Sequence, residues 1–208
     1  MRAAYIACAG RDSATYTASW LMCYRPVCRT SSSSPKRRRR QIPDAPSETS
    51  VAEYELRIAA RPETVFAYFT DPAKIVRWMG TDATLDPRPG GICRININGT
   101  VMLGTFVKID PHRRIVLTWG WEQQLFSVPP QSTEVEITFT PDDEGTLVRL
   151  THRRLPNTAA AAFHQAGWEH YLQRLAVAAA GGQPSSDSWQ DPEVPMAKVR
   201  AALAKDAG

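Results

Sequence analysis

From residue 53 to residue 155 the apolar positions recur mostly every second residue, and that spacing predicts a series of strands. Tyr54, Leu56 and Ile58 alternate with Glu53, Glu55 and Arg57, so Glu53 to Ala59 is expected to be a half-buried strand. Pro62 then stands at the first position of a short helix with Val65, Phe66 and Phe69 on its inner side. Asp71 caps a second helix that starts at Pro72 and is expected to run to Met79. The alternation resumes at Thr84 to Asp86, turns at Pro89-Gly90-Gly91, and continues with Cys93, Ile95 and Ile97 opposite Arg94, Asn96 and Asn98. Asn98-Gly99 is a strong hairpin signal leading into Thr100 to Ile109. After Asp110-Pro111-His112, Ile115, Leu117, Trp119 and Trp121 share a face. Pro129-Pro130 breaks the pattern, which makes Gln123 to Gln131 an open loop carrying Leu125 and Phe126. Val135, Ile137 and Phe139 form the next strand. Val148, Leu150 and His152 follow on one face of another, beyond the Asp142 to Gly145 turn.

The period then changes to three and four. Phe163, Gly167, Trp168, Tyr171, Leu172 and Leu175 fall on one stripe of a helix expected from Ala159 to Ala180. Asn157 or Thr158 caps its start, and Gly181-Gly182 ends it. So aromatic a stripe needs a large apolar partner, and a sheet built from the preceding strands supplies one. Successive antiparallel strands with short turns, and helices gathered at specific points, predict an α+β fold. Pro195 to Ala204 is expected to be a short surface helix.

Charge separates the chain into parts. Residues 1–50 hold nine Lys or Arg against Asp12, Asp44 and Glu48, a net of +6, whereas the remainder carries 16 basic and 18 acidic residues, a net of −2. A nucleic-acid-binding domain would carry positive charge on its folded surface, so none is expected to bind here. Ser31 to Arg40 and the prolines after it lack an apolar face, which predicts a disordered basic extension over 1–50, ahead of a domain at 51–182 and an extension at 183–208. The bias towards Ala, Arg and Pro suggests a bacterial source. Cys8, Cys23 and Cys28 lie in the first segment, and Cys93 in a strand; none forms a CxxC pair. That pattern, with no apolar window of about 20 residues to span a bilayer, predicts a cytoplasmic location.

Five stretches carry a resemblance. They are Pro62 to Phe66; Asp71-Pro72 with Arg77-Trp78; Pro89-Gly90-Gly91; Asp110 to Trp119; and Gly167 to Leu175, with Gly145-Thr146 and Leu150-Thr151-His152 completing the set. In that order the chain resembles the AHSA1-like family, related to the activator of Hsp90 ATPase, within the START/polyketide-cyclase superfamily. The resemblance implies a helix-grip fold, in which a curved antiparallel sheet wraps a long C-terminal helix around an apolar cavity. It leaves function open, because one fold hosts many chemistries.

The residues expected around such a cavity are Phe69, Trp78, Ile95, Phe106, Trp119, Trp121, His152, Phe163, Trp168 and Tyr171. The tryptophans fill a core or line a ligand site, and the pattern alone does not separate the two. Histidines 112, 152, 164 and 170 lack metal-ligand spacing, and no GxSxG elbow occurs, so neither metal nor cofactor is expected. His152 is the one candidate catalytic residue, as a buried base, with a histidine hydrogen-bonded near its strand end as the bland alternative. His164 either borders the pocket or points to solvent. Arg94 and Asn96 are weaker polar candidates.

Three functions follow. The first is a binding module for a small hydrophobic molecule. The second is a polyketide-cyclase or hydrolase type of enzyme using the same cavity. The third, an Hsp90-type chaperone partner, is weakened because the N-terminal domain that the resemblance pairs with that activity is missing from residues 1–50. A homodimer is compatible with all three.

Overall fold

The computed structural model describes residues 50–206. The disordered extension expected at 1–50, with Cys8, Cys23 and Cys28, lies outside the described residues but for Ser50. Among the described residues seven strands are formed: β1 (Ser50–Ile58), β2 (Asp82–Leu85), β3 (Ile92–Ile97), β4 (Thr100–Asp110), β5 (Arg114–Trp119), β6 (Thr133–Asp142) and β7 (Gly145–Leu155). The helices are α1 (Pro62–Thr70), α2 (Pro72–Ile75), α3 (Thr158–Ala179) and α4 (Glu193–Asp206), with single 3-10 turns at Leu125–Ser127 and Ser188–Gln190. All pairings are antiparallel, in the order β1-β7-β6-β5-β4-β3-β2. The chain therefore winds from β2 to β7 as one meander and adds β1 beside β7. Between β1 and β2, α1 and α2 carry it from one border of the sheet to the other.

Two local features bend the sheet. A register shift between Phe106 and Lys108 makes a bulge in the eleven-residue strand β4. Two residues before Phe106, Gly104 lies so close to β5 that a Cβ there would stand 1.9 Å from the Thr118 carbonyl oxygen. The Asn98-Gly99 hairpin has φ of 53° and 90°, the left-handed pair that a two-residue turn matched to strand twist requires.

The curved sheet grips α3. The Asn157 side chain accepts from the Ala160 N–H at 2.8 Å and caps the helix. At the other end Gly181, at φ 89°, donates to Ala178, and Gly182 donates to Val177, satisfying carbonyls the helix leaves over. The predicted stripe is buried: Trp168, Tyr171, Leu172 and Leu175 all face the sheet. Side chains of this kind contribute about 1.5–3 kcal/mol each on burial. Tyr68 of α1 donates to the Ala178 carbonyl at 2.7 Å and receives the Trp78 indole N–H on its own carbonyl at 3.0 Å, which closes one end of the core. The side-chain amide of Gln165 meets the backbone of border strand β1 as another strand would. Its oxygen accepts from Glu53 N–H at 2.9 Å and its nitrogen donates to Glu53 C=O at 2.8 Å.

Two expectations need correction. The second helix stops at Ile75 instead of Met79, because residues 76–79 turn so that Trp78 and Met79 enter the core. The last helix is longer than Pro195 to Ala204 and is no surface appendage. It packs on α3 and buries Val199.

Candidate functional site

Met79 and four longer parts of the chain surround a cavity of about 440 Å³. The turn between β3 and β4 brings Ile97, Asn98 and Thr100. The end of β5 and the loop after it bring Trp119, Trp121, Leu125 and Phe126. Helix α3 contributes Phe163, His164, Gly167, Trp168 and Tyr171, and the C-terminal segment lays Trp189, Pro192, Pro195 and Met196 across the opening. Trp119 is central, with its ring 4.9 Å from Trp168 and 5.6 Å from Trp121. Phe126 sits 4.6 Å from Phe163. The loop that carries Phe126 is held in an uncommon backbone shape, with Gln124, Phe126 and Ser127 all in the left-handed region.

Two histidines, His164 on this wall and His152 behind it, have their rings 4.5 Å apart, and each is tied to a tryptophan. His152 Nδ1 accepts from the Trp168 indole N–H at 3.2 Å. Its Nε2 is 2.7 Å from the Thr133 hydroxyl, which gives its single proton to the Trp119 carbonyl, so His152 must donate from Nε2. His164 has the opposite arrangement. Its Nε2 accepts from the Trp121 indole N–H at 3.1 Å, and its Nδ1 donates to the Ala160 carbonyl at 2.7 Å. Partners therefore assign both tautomers. Burial pushes the His164 imidazole down to about 4, and burial together with the neighbouring His164 holds His152 well below its ordinary value. Both rings are neutral near pH 7, with every nitrogen engaged.

The opening is fastened by Asp187. Its carboxylate accepts from His170 Nε2 at 2.8 Å, Asn98 Nδ2 at 2.9 Å, the Tyr171 hydroxyl at 3.1 Å and the Trp189 backbone N–H at 3.0 Å. Burial raises its pKa, but the hydrogen bonds outweigh that and hold the group below the usual carboxylate range. Burial and the Asp187 charge push Tyr171 far up, so its hydroxyl keeps its proton. Beside the latch, Trp189 stacks on His170 at 5.1 Å and packs over Gly167, where a Cβ would come within 3.4 Å of its ring.

Of the residues expected around the cavity, Trp119, Trp121, Phe163, Trp168 and Tyr171 stand on its wall. His152 stands one layer behind them. Phe69, Trp78, Ile95 and Phe106 are buried elsewhere in the core, with Phe69 packed edge to face on Trp78 and Phe139. His164 borders the cavity and is buried, so the solvent-facing alternative is excluded. Arg94 points outward to Asp82 and Glu122. Sequence reasoning missed Trp189, Phe126, Asn98 and Met196. One signal was available for the first: a lone tryptophan in the polar run Ser185 to Pro192.

Comparison with known proteins places this geometry. A solution structure of an AHSA1-like protein from Rhizobium etli is 41% identical, covers 70% of this chain and 91% of its own, and superposes with a TM-score of 0.56. CalU16 from Micromonospora echinospora shares the fold at 22% identity and a TM-score of 0.54, over 76% of this chain and 96% of that one. DynU16, from the dynemicin biosynthetic locus, does so at 21% identity and a TM-score of 0.57, over 64% and 48%. An uncharacterized protein of Schizosaccharomyces pombe is 33% identical over 94 residues, which are 44% of this chain; the chain spans about a quarter (26%) of that curated relative's length. Residues 59–180 match the family described as Activator of Hsp90 ATPase homolog 1-like protein. More than half of the sequence falls in that match, and the chain belongs to the AHSA1-like family.

Proposed function

We propose that the protein is a binding module for a small hydrophobic molecule, held between the sheet and α3 beneath the C-terminal segment. The observation that carries this reading is the aromatic-walled cavity of about 440 Å³. Its volume falls in the range of small-molecule sites, roughly 300–1,000 Å³, and its few polar groups gather at one end around Asn98 and Tyr171. Trp119, Trp121, Phe163, Trp168 and Tyr171 would contact the guest, with Phe126 and Trp189 closing over it. His152 acts through Trp168, fixing the indole, and is a positioning residue. A cyclase or hydrolase needs a free acid or base beside its substrate. Both buried histidines spend their lone pair on an indole N–H, which favours binding over turnover. Partnership with an Hsp90-type chaperone rests on the family name alone. In this reading the protein works in a bacterial cytoplasm, where the free, buried thiol of Cys93 would stay reduced.

Native mass spectrometry of the protein as purified from its own cells tests the proposal. A bound small molecule that is released on denaturation, and whose uptake is lost when Gly167→Leu fills the cavity, supports it. Uptake unchanged in a folded Gly167→Leu protein would refute it.

A further inference from the structure

The polar groups around the cavity are spent in a way that leaves a definite chemical preference. Among the described residues on its wall there is no lysine and no arginine, and His164 is the one base. That ring stays uncharged at neutral pH, with Nδ1 on Ala160 and Nε2 on Trp121. Indole N–H groups are the other donors an anion would use. Those of Trp121 and Trp168 are given to the two histidines. Those of Trp119 and Trp189 have no partner among the described residues but are enclosed by protein atoms, out of a guest's reach. What the aromatic part of the wall offers is π-faces and C–H edges.

The polar end supplies no cation either. Asn98 directs its amide nitrogen to Asp187 and to the Tyr171 oxygen, at 2.9 Å and 3.4 Å. The Tyr171 proton also goes to Asp187. Those donors are therefore committed to their neighbours, and the Thr100 hydroxyl and the Gln190 carboxamide, uncharged groups that donate and accept alike, are left for a guest. Asp187 adds a negative charge just beyond them. Arg174 offsets part of it, but it lies off the cavity wall and is tied to the carbonyls of Trp78 and Ser185.

We propose that this cavity selects uncharged aromatic molecules and turns away carboxylates and sulfonates. The inference rests on the binding reading above and names the class of guest. A buried anion without a cation or a set of donors keeps its full desolvation penalty, whereas an uncharged ring system loses only water.

One matched pair tests it on the full chain. N-phenyl-1-naphthylamine and 8-anilinonaphthalene-1-sulfonate share one ring skeleton and one secondary amine, and differ by the sulfonate. The uncharged dye is expected to bind roughly a hundred-fold more tightly, counting only the sulfonate binding that the uncharged dye displaces. A ratio below about ten overturns the charge selection while leaving the binding reading intact. Uptake of neither dye overturns both.

Discussion

Lowering the pH from 7 to 5 should destabilise this protein before any carboxylate titrates, and the cause is the buried histidine pair beside the cavity. His164 is buried and neutral, and its pKa falls from the ordinary value of 6.5 to about 4 in the folded chain. Below pH 6.5 the unfolded chain takes up a proton that the native state refuses, so stability must fall as pH falls. The contribution is complete above the unfolded value and is lost between about 6.5 and 4. For His164 alone, the linkage integral from pH 7 to pH 5 comes to about 2 kcal/mol. His152 is displaced in the same direction, by burial and by His164, and adds to the loss. Asp187 and Glu136 are also held low, but the stability they confer is lost only below their own unfolded values, near pH 4, outside this window. Urea denaturation followed by tryptophan fluorescence at pH 7, 6 and 5 measures the effect. With a slope of about 1–3 kcal/mol per molar, the midpoint should drop by about 1 M with the slope unchanged. His164→Gln, though less stable at pH 7, should lose part of that pH dependence. A wild-type midpoint that stays constant from pH 7 to 5, or a variant that keeps the full dependence, would show that these imidazoles are not held neutral by burial.

Three further outcomes follow from single contacts. Gly104→Ala drives a methyl group into the Thr118 carbonyl, so thermal or urea unfolding should show a loss of about 3 kcal/mol, at the upper end for overpacking. Asp187→Asn weakens four hydrogen bonds at once. Amide exchange across residues 188–196 should quicken by roughly ten-fold while β5 and β6 keep their protection. Burial pushes the Cys93 thiol up to about 12, so peptide mapping should find it unmodified by iodoacetamide at pH 8 in the native protein and modified after denaturation.

The sheet and α3 were legible because their signals are local. Alternation along β3 and β6, the Asn98-Gly99 pair, and the Asn157 cap with the Gly181-Gly182 stop each state a structure within a few residues. The site was legible only in part. Trp78 and Trp119 look equivalent in sequence, yet one is locked between Phe69 and the Tyr68 carbonyl while the other faces a hollow. What separates them is the opening left after β5, and that depends on where α4 and Trp189 come to rest far along the chain. The donor and acceptor roles of His152 and His164 are likewise non-local, since Thr133, Trp121 and Trp168 arrive from three different elements. Helix α2 was overextended because capping chemistry marks where a helix begins, and the need to bury Trp78 and Met79 ended it early.

The clasp of Gln165 on Glu53 has a consequence for self-association. A sheet with a bare border invites a second copy to add its own strand, and another after that, without limit. Here one border donor and one border acceptor are already taken by the chain's own helix, and at the far side β2 offers only four residues. Open-ended growth into fibrils thus meets an obstacle on each flank, and removing that single amide would free one of them.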